Sequence, residues 1–212
     1  MTVATTSVPR LHVLTPATQR VDDLRAVDAA LAAGAPAIQV RVKESTDRDH
    51  LEVAAAITRR CHDAGARCIV NDRPDIALAC GADGVHLGAE DLPVEVVRRL
   101  VGQRLLVGGT ARDPDTARRL AAAGADYLGV GPIHPTRTKE GLPDPLGLDR
   151  LTAISSAVDV PVIAISGITA ERIPDVLRAG AAGVAVMSAV MGADDPGMAT
   201  RQLLDHLEEA TR

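Results

Sequence analysis

Only two lysines, Lys43 and Lys139, stand among the 23 basic residues, and each lies in a stretch rich in other chemically active side chains. Lys43 ends Gln39-Val40-Arg41-Val42-Lys43. If that stretch is extended, alternation turns Gln39, Arg41 and Lys43 to one side. An amide, a guanidinium and an ammonium together make a cationic, hydrogen-bonding patch suited to a diphosphate or a carboxylate. The bland alternative is a solvated strand end. Lys139 ends Thr136-Arg137-Thr138-Lys139, where two hydroxyls and two cations in succession suit a phosphate group. The chain uses Arg for nearly every cation, so its two compact ammonium groups point to a role that Arg cannot fill.

The carboxylates of interest are Asp72, in Asn71-Asp72-Arg73-Pro74, and Asp91, in His86-Leu87-Gly88-Ala89-Glu90-Asp91. If both follow adjacent strands, their side chains converge, and Mg²⁺ is typically held by one or two carboxylates plus substrate phosphates. Each Asp also shortly precedes a proline and a helical stretch, so each reads equally well as a helix cap. His86 reads as a structural residue inside a strand. Gly108-Gly109-Thr110-Ala111 either offers backbone N–H groups to an anion or makes a plain turn.

The elements that must position these groups are marked by a repeated junction. Ala33-Gly34-Ala35, Ala64-Gly65-Ala66, Cys80-Gly81-Ala82, Ala123-Gly124-Ala125 and Ala179-Gly180-Ala181 each follow a helix-like stretch, and most precede a short apolar run. A glycine just past a helix takes the left-handed conformation that ends it. Strands are expected at Leu11–Leu14, Ala37–Arg41, Cys68–Asn71, Gly84–Leu87, Leu105–Gly108, Tyr127–Gly131, Val160–Ile165 and Gly183–Met187. Helices follow, as at Asp22–Ala33, Thr46–Ala64 and Pro196–Thr211. Eight βα units give an α/β fold, a single (β/α)8 TIM barrel over residues 1–212, with 1–9 as a flexible tail. A doubly wound open sheet is the rival. In a barrel, all the groups named above lie at the C-terminal ends of strands, where barrel active sites sit. The longest connection, Pro132–Leu146, follows strand 6. Ser166-Gly167 and Met187-Ser188 follow strands 7 and 8, the usual barrel phosphate site.

Composition narrows the function. Of 212 residues, 46% are hydrophobic and 24% charged, which is ordinary for a globular domain. With one Tyr, no Phe and no Trp, the core is expected to consist of Ala, Val, Leu and Ile. A net charge of −5 and the lack of stacking rings argue against nucleic acid. No apolar stretch suggests a membrane span and no leader is readable. Cys61, Cys68 and Cys80 form no CxxC, so a reducing cytoplasm is expected. The partners expected are small phosphorylated molecules, with a homo-oligomer left open.

Taken together, the motifs resemble the thiamine-phosphate synthases. The matching segments are Gln39-Val40-Arg41-Val42-Lys43, Asn71-Asp72-Arg73, His86-Leu87-Gly88-Ala89-Glu90-Asp91-Leu92, Gly131-Pro132-Ile133-His134-Pro135-Thr136-Arg137-Thr138-Lys139 and Ser166-Gly167-Ile168. The resemblance implies coupling of an aminopyrimidine methyl diphosphate to a thiazole phosphate, giving thiamine phosphate and diphosphate. It implies that Gln39, Arg41, Lys43, Asn71, Thr110 and Lys139 hold the pyrimidine diphosphate. Asp72 and Asp91 would bind Mg²⁺, and Thr136, Thr138, Gly167, Met187 and Ser188 the thiazole phosphate. Val40, Val42, Arg137 and Ser166 would be further substrate contacts, and Arg41, Lys43 and Lys139 the cations that act on the leaving group. The chain departs from the family at Val42 (usually acidic), Ala89 (usually Gln), Thr110 (usually Ser) and Ser166 (usually Gly). A sister group, the thiazole tautomerases, lacks the Asp pair and uses a His where Arg112 stands here. A non-catalytic phosphate-binding barrel is the third reading.

Under the synthase reading, Lys139 acts mainly on charge that builds up as diphosphate departs. Lys139→Ala is then expected to lower kcat roughly a hundredfold or more, with less effect on KM. Thermal melting should be unchanged. Near-parental turnover with an unchanged melt would remove Lys139 from the mechanism.

Overall fold

The computed structural model describes residues 7–43, 45–136 and 144–210. Strand and helix alternate along them. The order is β1 (Leu11–Leu14), α1 (Arg25–Ala32), β2 (Ala37–Val40), α2 (Asp47–Asp63), β3 (Arg67–Asn71), α3 (Pro74–Cys80), β4 (Gly84–Leu87), α4 (Val94–Val101), β5 (Leu106–Ala111), α5 (Pro114–Ala122), β6 (Tyr127–Val130), α6 (Gly147–Ser155) and β7 (Val162–Ile165). A 3-10 turn (Ala170–Arg172) then leads into α7 (Ile173–Arg178), followed by β8 (Gly183–Val186), α8 (Ser188–Met191) and α9 (Pro196–Glu209). Each strand pairs in parallel with the next, and β8 returns to β1 through Leu11↔Val184 and Val13↔Val186. The sheet is therefore a closed eight-stranded barrel, which excludes the open doubly wound alternative.

The glycine junctions behave as the sequence implies: Gly34, Gly65, Gly81, Gly124 and Gly180 all have positive φ. Each stops a helix and turns the chain into the next strand. One glycine cluster does not behave that way. Gly108-Gly109-Thr110 is not a loop after β5 but part of that strand, which runs on to Ala111. Gly109 lies under α4 and α5, where a Cβ would stand 3.2 Å from Leu120 Cδ1 and 3.3 Å from Val94 Cγ2. These glycines make room for side chains rather than a turn.

Period-two alternation divides the strand residues between two layers. Leu11, Val13, Ile38, Val40, Val70, Val85, Leu128 and Val184 face outward into an aliphatic layer against the helices. Inside the barrel, Leu14, Ala37, Ile69, Tyr127, Ile163 and Ala185 pack together. The expectation of a wholly aliphatic interior needs correction here. The lone tyrosine is 1% exposed and fills the lumen with two histidines, its ring centroid 5.2 Å from that of His12 and 5.5 Å from that of His86. In the expected N-terminal tail, residues 1–6 lie outside the described residues, while Val8 packs on the inner cluster and Pro9 O accepts from His12 Nε2 at 3.0 Å. Among the described residues no helix is long and apolar enough to cross a membrane.

The ring cluster needs the glycines beside it. A Cβ at Gly108 would lie 2.2 Å from Tyr127 Cζ and 2.5 Å from His86 Nδ1, and one at Gly129 would lie 2.8 Å from His86 Cε1. Gly108→Ala is therefore expected to cost about 3 kcal/mol or more, the upper range for overpacking a core, as read by urea unfolding. Adding Tyr127→Leu should recover part of the loss, because the two sites share one space. A Gly108→Ala chain as stable as its parent would disprove the packing argument.

Candidate functional site

The C-terminal ends of the strands open into a cavity of about 1150 Å³. That is somewhat more than the 300–1,000 Å³ usual for one small ligand, which leaves room for two. The floor comes from the barrel interior and the rim from the loops.

The floor is a chain of neutral polar groups. Gln39, 4% exposed on β2, reaches the Tyr127 hydroxyl. That hydroxyl lies 3.2 Å from His86 Nδ1, and His86 Nε2 lies 3.1 Å from Thr110 Oγ1. Burial holds His12 and His86 down to about 4, so both imidazoles are neutral at physiological pH. Burial likewise raises the Tyr127 phenol. A neutral imidazole has one donor and one acceptor nitrogen, so His86 fixes which way the hydroxyls on either side point. The sequence reading of His86 as structural holds in the sense that it lies in β4, yet its ring lines the cavity.

The rim carries the charge. Arg41 and Lys43 leave β2 on the same side as Gln39, and all three line the cavity. Thr15, fully buried, clamps this exit: its Oγ1 accepts from Arg41 N at 2.9 Å and donates to Arg41 O at 3.3 Å. Asp72 follows β3 with φ 67°, a left-handed conformation that costs a non-glycine residue energy and clusters at functional sites. Its side chain takes an ion pair from Lys43 and a hydrogen bond with Asp91. Asp91 in turn accepts from Gly88 N at 2.7 Å. Neither aspartate caps a helix: the residues before α3 and α4 are Arg73 and Pro93. Gly88 is required where the two meet, since a Cβ there would lie 2.9 Å from Asp91 Oδ2 and 4.0 Å from Asp72 Oδ1. Burial, and then the neighbouring Asp72, push the Asp91 carboxyl up to about 6. Burial opposes ionisation of Asp72 too, but its hydrogen bonds with Asp91 and Lys43 outweigh this and hold it below its ordinary value.

On the opposite side, Thr136, Ser166, Gly167, Met187 and Ser188 line the same cavity. Ser166 has φ 80° and Gly167 φ 66°. This left-handed pair turns the chain sharply after β7 and lets Ser166 O accept from His134 N at 3.1 Å. Glycine is the easier residue at such a φ.

Most of the residues singled out from sequence therefore meet: Gln39, Arg41, Lys43, Asn71, Asp72, Asp91, Thr110, Thr136, Ser166, Gly167, Met187 and Ser188 share one cavity. Val40 and Val42 are corrections. They face away from it, buried in the layer between sheet and helices, because alternation places them opposite Gln39 and Arg41. Arg137, Thr138 and Lys139 lie outside the described residues. Sequence reasoning missed Thr15, His12, Tyr127 and Arg172 as cavity residues. Alternation along β1, β4 and β6 carries the signal for the two rings next to His86, whereas Arg172 sits in a 3-10 turn that no periodicity marks.

Comparison with known proteins gives a consistent result. A family model described as thiamine monophosphate synthase matches residues 11–190. The thiamine-phosphate synthase of Salinispora arenicola is 48% identical over 204 residues, covering 95% of this chain and 98% of that protein. That of Moorella thermoacetica is 48% identical over 187 residues, covering 88% and 89%. Among solved structures, thiamine phosphate pyrophosphorylase from Pyrococcus furiosus superposes with a TM-score of 0.85 at 37% identity, covering 96% of this chain and 97% of that one.

The neutral floor has a consequence for acid stability. His12 and His86 have folded-state values near 4, below the 6.5 of an unfolded histidine. Between those values the unfolded chain binds more protons, so stability should fall as pH drops from 6.5 towards 4. Above 6.5 neither histidine contributes a slope. The expected slope is up to about 1.4 kcal/mol per pH unit for each histidine. Urea unfolding at stepped pH reads the slope, and the imidazole proton shifts of the folded chain should stay at their neutral positions down to about pH 5. Folded-state titration near 6.5 would contradict this.

Proposed function

We propose a reaction for this cavity from a plain premise: the chain belongs to the thiamine monophosphate synthase family and is a transferase with thiamine-phosphate synthase activity. The substrates are 4-amino-2-methyl-5-(diphosphooxymethyl)pyrimidine and a thiazole phosphate. The bond between the pyrimidine methylene carbon and the diphosphate oxygen breaks, and its electron pair leaves with diphosphate. The thiazole nitrogen then uses its lone pair to bond to that carbon. Thiamine phosphate and diphosphate are the products, and no redox partner is needed.

One observation carries this reading. Asp72 and Asp91 converge at Gly88, beside Lys43 and in the cavity that Arg41 lines. Two touching carboxylates that repel one another when both are ionised are a donor set suited to a hard divalent cation, and Mg²⁺ fits. When bound, the ion supplies positive charge to the diphosphate oxygens. Arg41 and Lys43 add cations there, the family resemblance assigns the same role to Lys139 outside the described residues, and Gln39, Asn71 and Thr110 hold the pyrimidine end. Thr136, Ser166, Gly167, Met187 and Ser188 surround the thiazole phosphate, and the family resemblance assigns Thr138, outside the described residues, to the same group. The neutral floor suits the chemistry, because His12 and His86 put no positive charge against a pyrimidine ring that becomes cationic as diphosphate leaves. The aspartate pair favours the synthase over a tautomerase. So does Arg112, since a guanidinium stays protonated at neutral pH and cannot take up a proton as a general base must. The free Cys61, Cys68 and Cys80 support a reducing, cytoplasmic setting.

The test is a coupling assay with both phosphorylated halves. Thiamine phosphate and diphosphate should form in equal amounts, stop with chelator and resume with Mg²⁺. Asp91→Asn should lower kcat/KM at least a hundredfold while the chain still folds. Thiazole isomerisation without the pyrimidine or Mg²⁺ would favour the tautomerase instead, and binding without turnover would favour a sensing barrel.

A further inference from the structure

A phosphate monoester carries close to two negative charges at neutral pH, yet the described residues placed around the thiazole phosphate, Thr136, Ser166, Gly167, Met187 and Ser188, carry none. Among the described residues, the cations lining the cavity are Arg41, Lys43, Arg112 and Arg172. Arg41 and Lys43 leave β2, and Lys43 is paired with Asp72. Arg112 follows β5 and donates to Asp144 O at 3.2 Å. Arg172 closes the turn that follows Ser166-Gly167-Ile168, on the thiazole side of the cavity.

The local packing fixes where this guanidinium stands. Its Nη1 donates to Gly167 O at 2.5 Å, which ties it to the loop that bounds the cavity. Gly167 is itself wedged against the loop after β6, since a Cβ there would lie 2.7 Å from both His134 Cβ and Pro135 O. The loop that carries Thr136 and the turn that carries Arg172 are thus held in one register. Burial and the nearby Arg172 charge together hold the His134 imidazole below its ordinary value. A guanidinium has five N–H donors, so the bond to Gly167 leaves others for an anion. Among the described residues Arg172 forms no ion pair, whereas Arg178 six residues on is paired with Asp175.

We propose that Arg172 binds the phosphate of the thiazole substrate and sets the preference for the phosphorylated thiazole over its free alcohol. The proposal rests on the synthase reading above. Coupling is measured with thiazole phosphate and with the unphosphorylated thiazole alcohol, for the parent, Arg172→Ala and Arg172→Lys. Arg172→Ala should raise KM for thiazole phosphate about 10- to 100-fold, the range for losing a charged hydrogen bond, with kcat changed far less. The loss with the alcohol should be much smaller, so the preference collapses, and Arg172→Lys should restore part of it. Equal losses on both substrates would mean that Arg172 only supports Gly167, and an unchanged KM would remove it from binding; either overturns the proposal. Calorimetric titration with thiazole phosphate separates this from the reaction. If the parent turns nothing over but Arg172→Ala still weakens binding tenfold or more, the synthase reading fails and the Arg172 assignment stands. Equal affinity in parent and variant, or no binding by the parent, overturns it.

Discussion

The structure depends on one packing constraint: a barrel lumen filled by Tyr127, His12 and His86 in a chain with no Phe and no Trp. Small parallel barrels are filled by side chains, and here three polar rings share the lumen with Leu14, Ile69 and Ile163. The rings fit only because β5 and β6 omit side chains at Gly108 and Gly129. The same rings form the floor of the cavity, so the contact that stabilises the barrel also shapes its site. Burial keeps both imidazoles neutral, and that neutrality confines charge to the rim.

At the rim the backbone is held away from its relaxed conformation. Asp72 and Ser166, at φ 67° and 80°, directly follow β3 and β7 and both line the cavity. Such residues persist only where the surroundings over-determine them. For Asp72 these are Lys43, Asp91 and the backbone bond from its N–H to His86 O at 2.8 Å. For Ser166 they are the bond from His134 N to its carbonyl and the wedge at Gly167. Both conformations turn the chain sharply where a strand ends, and both bring polar atoms into the cavity.

Much of this was legible in the sequence, for physical reasons that differ by element. Helix ends were legible because left-handed C-caps select glycine, and Gly34, Gly65, Gly81, Gly124 and Gly180 stand at such ends. The cationic set on β2 was legible because alternation is strict, and the same rule should have turned Val40 and Val42 away. Gly108-Gly109 resembled a turn because the residues that need their space, Tyr127 and His86 at Gly108 and Val94 and Leu120 at Gly109, come from other elements and cannot be inferred from local sequence. Asp72 and Asp91 were ambiguous between cap and ligand because both roles place a carboxylate just before a helix. The structure removes the cap reading, since Arg73 and Pro93 stand at the caps of α3 and α4 while the two carboxylates meet at Gly88. Arg172 carried no sequence signal, since its position follows from the docking of one loop against another.

The chain is acidic overall, with a net charge of −5, yet its cavity is suited to anions. Ion pairing on the outer surface resolves this. Arg20, Arg25, Arg60, Arg73, Arg118 and Arg178 are each paired with an aspartate there, so these cations project little field beyond their partners. Arg41, Arg112 and Arg172 line the cavity and, among the described residues, form no ion pair. In a recess with low-dielectric walls, cations without such partners focus their field on whatever enters. Net charge therefore says little about what this protein binds. Which arginines are paired with residues that do not line the cavity, and which line it without such a partner, says much more.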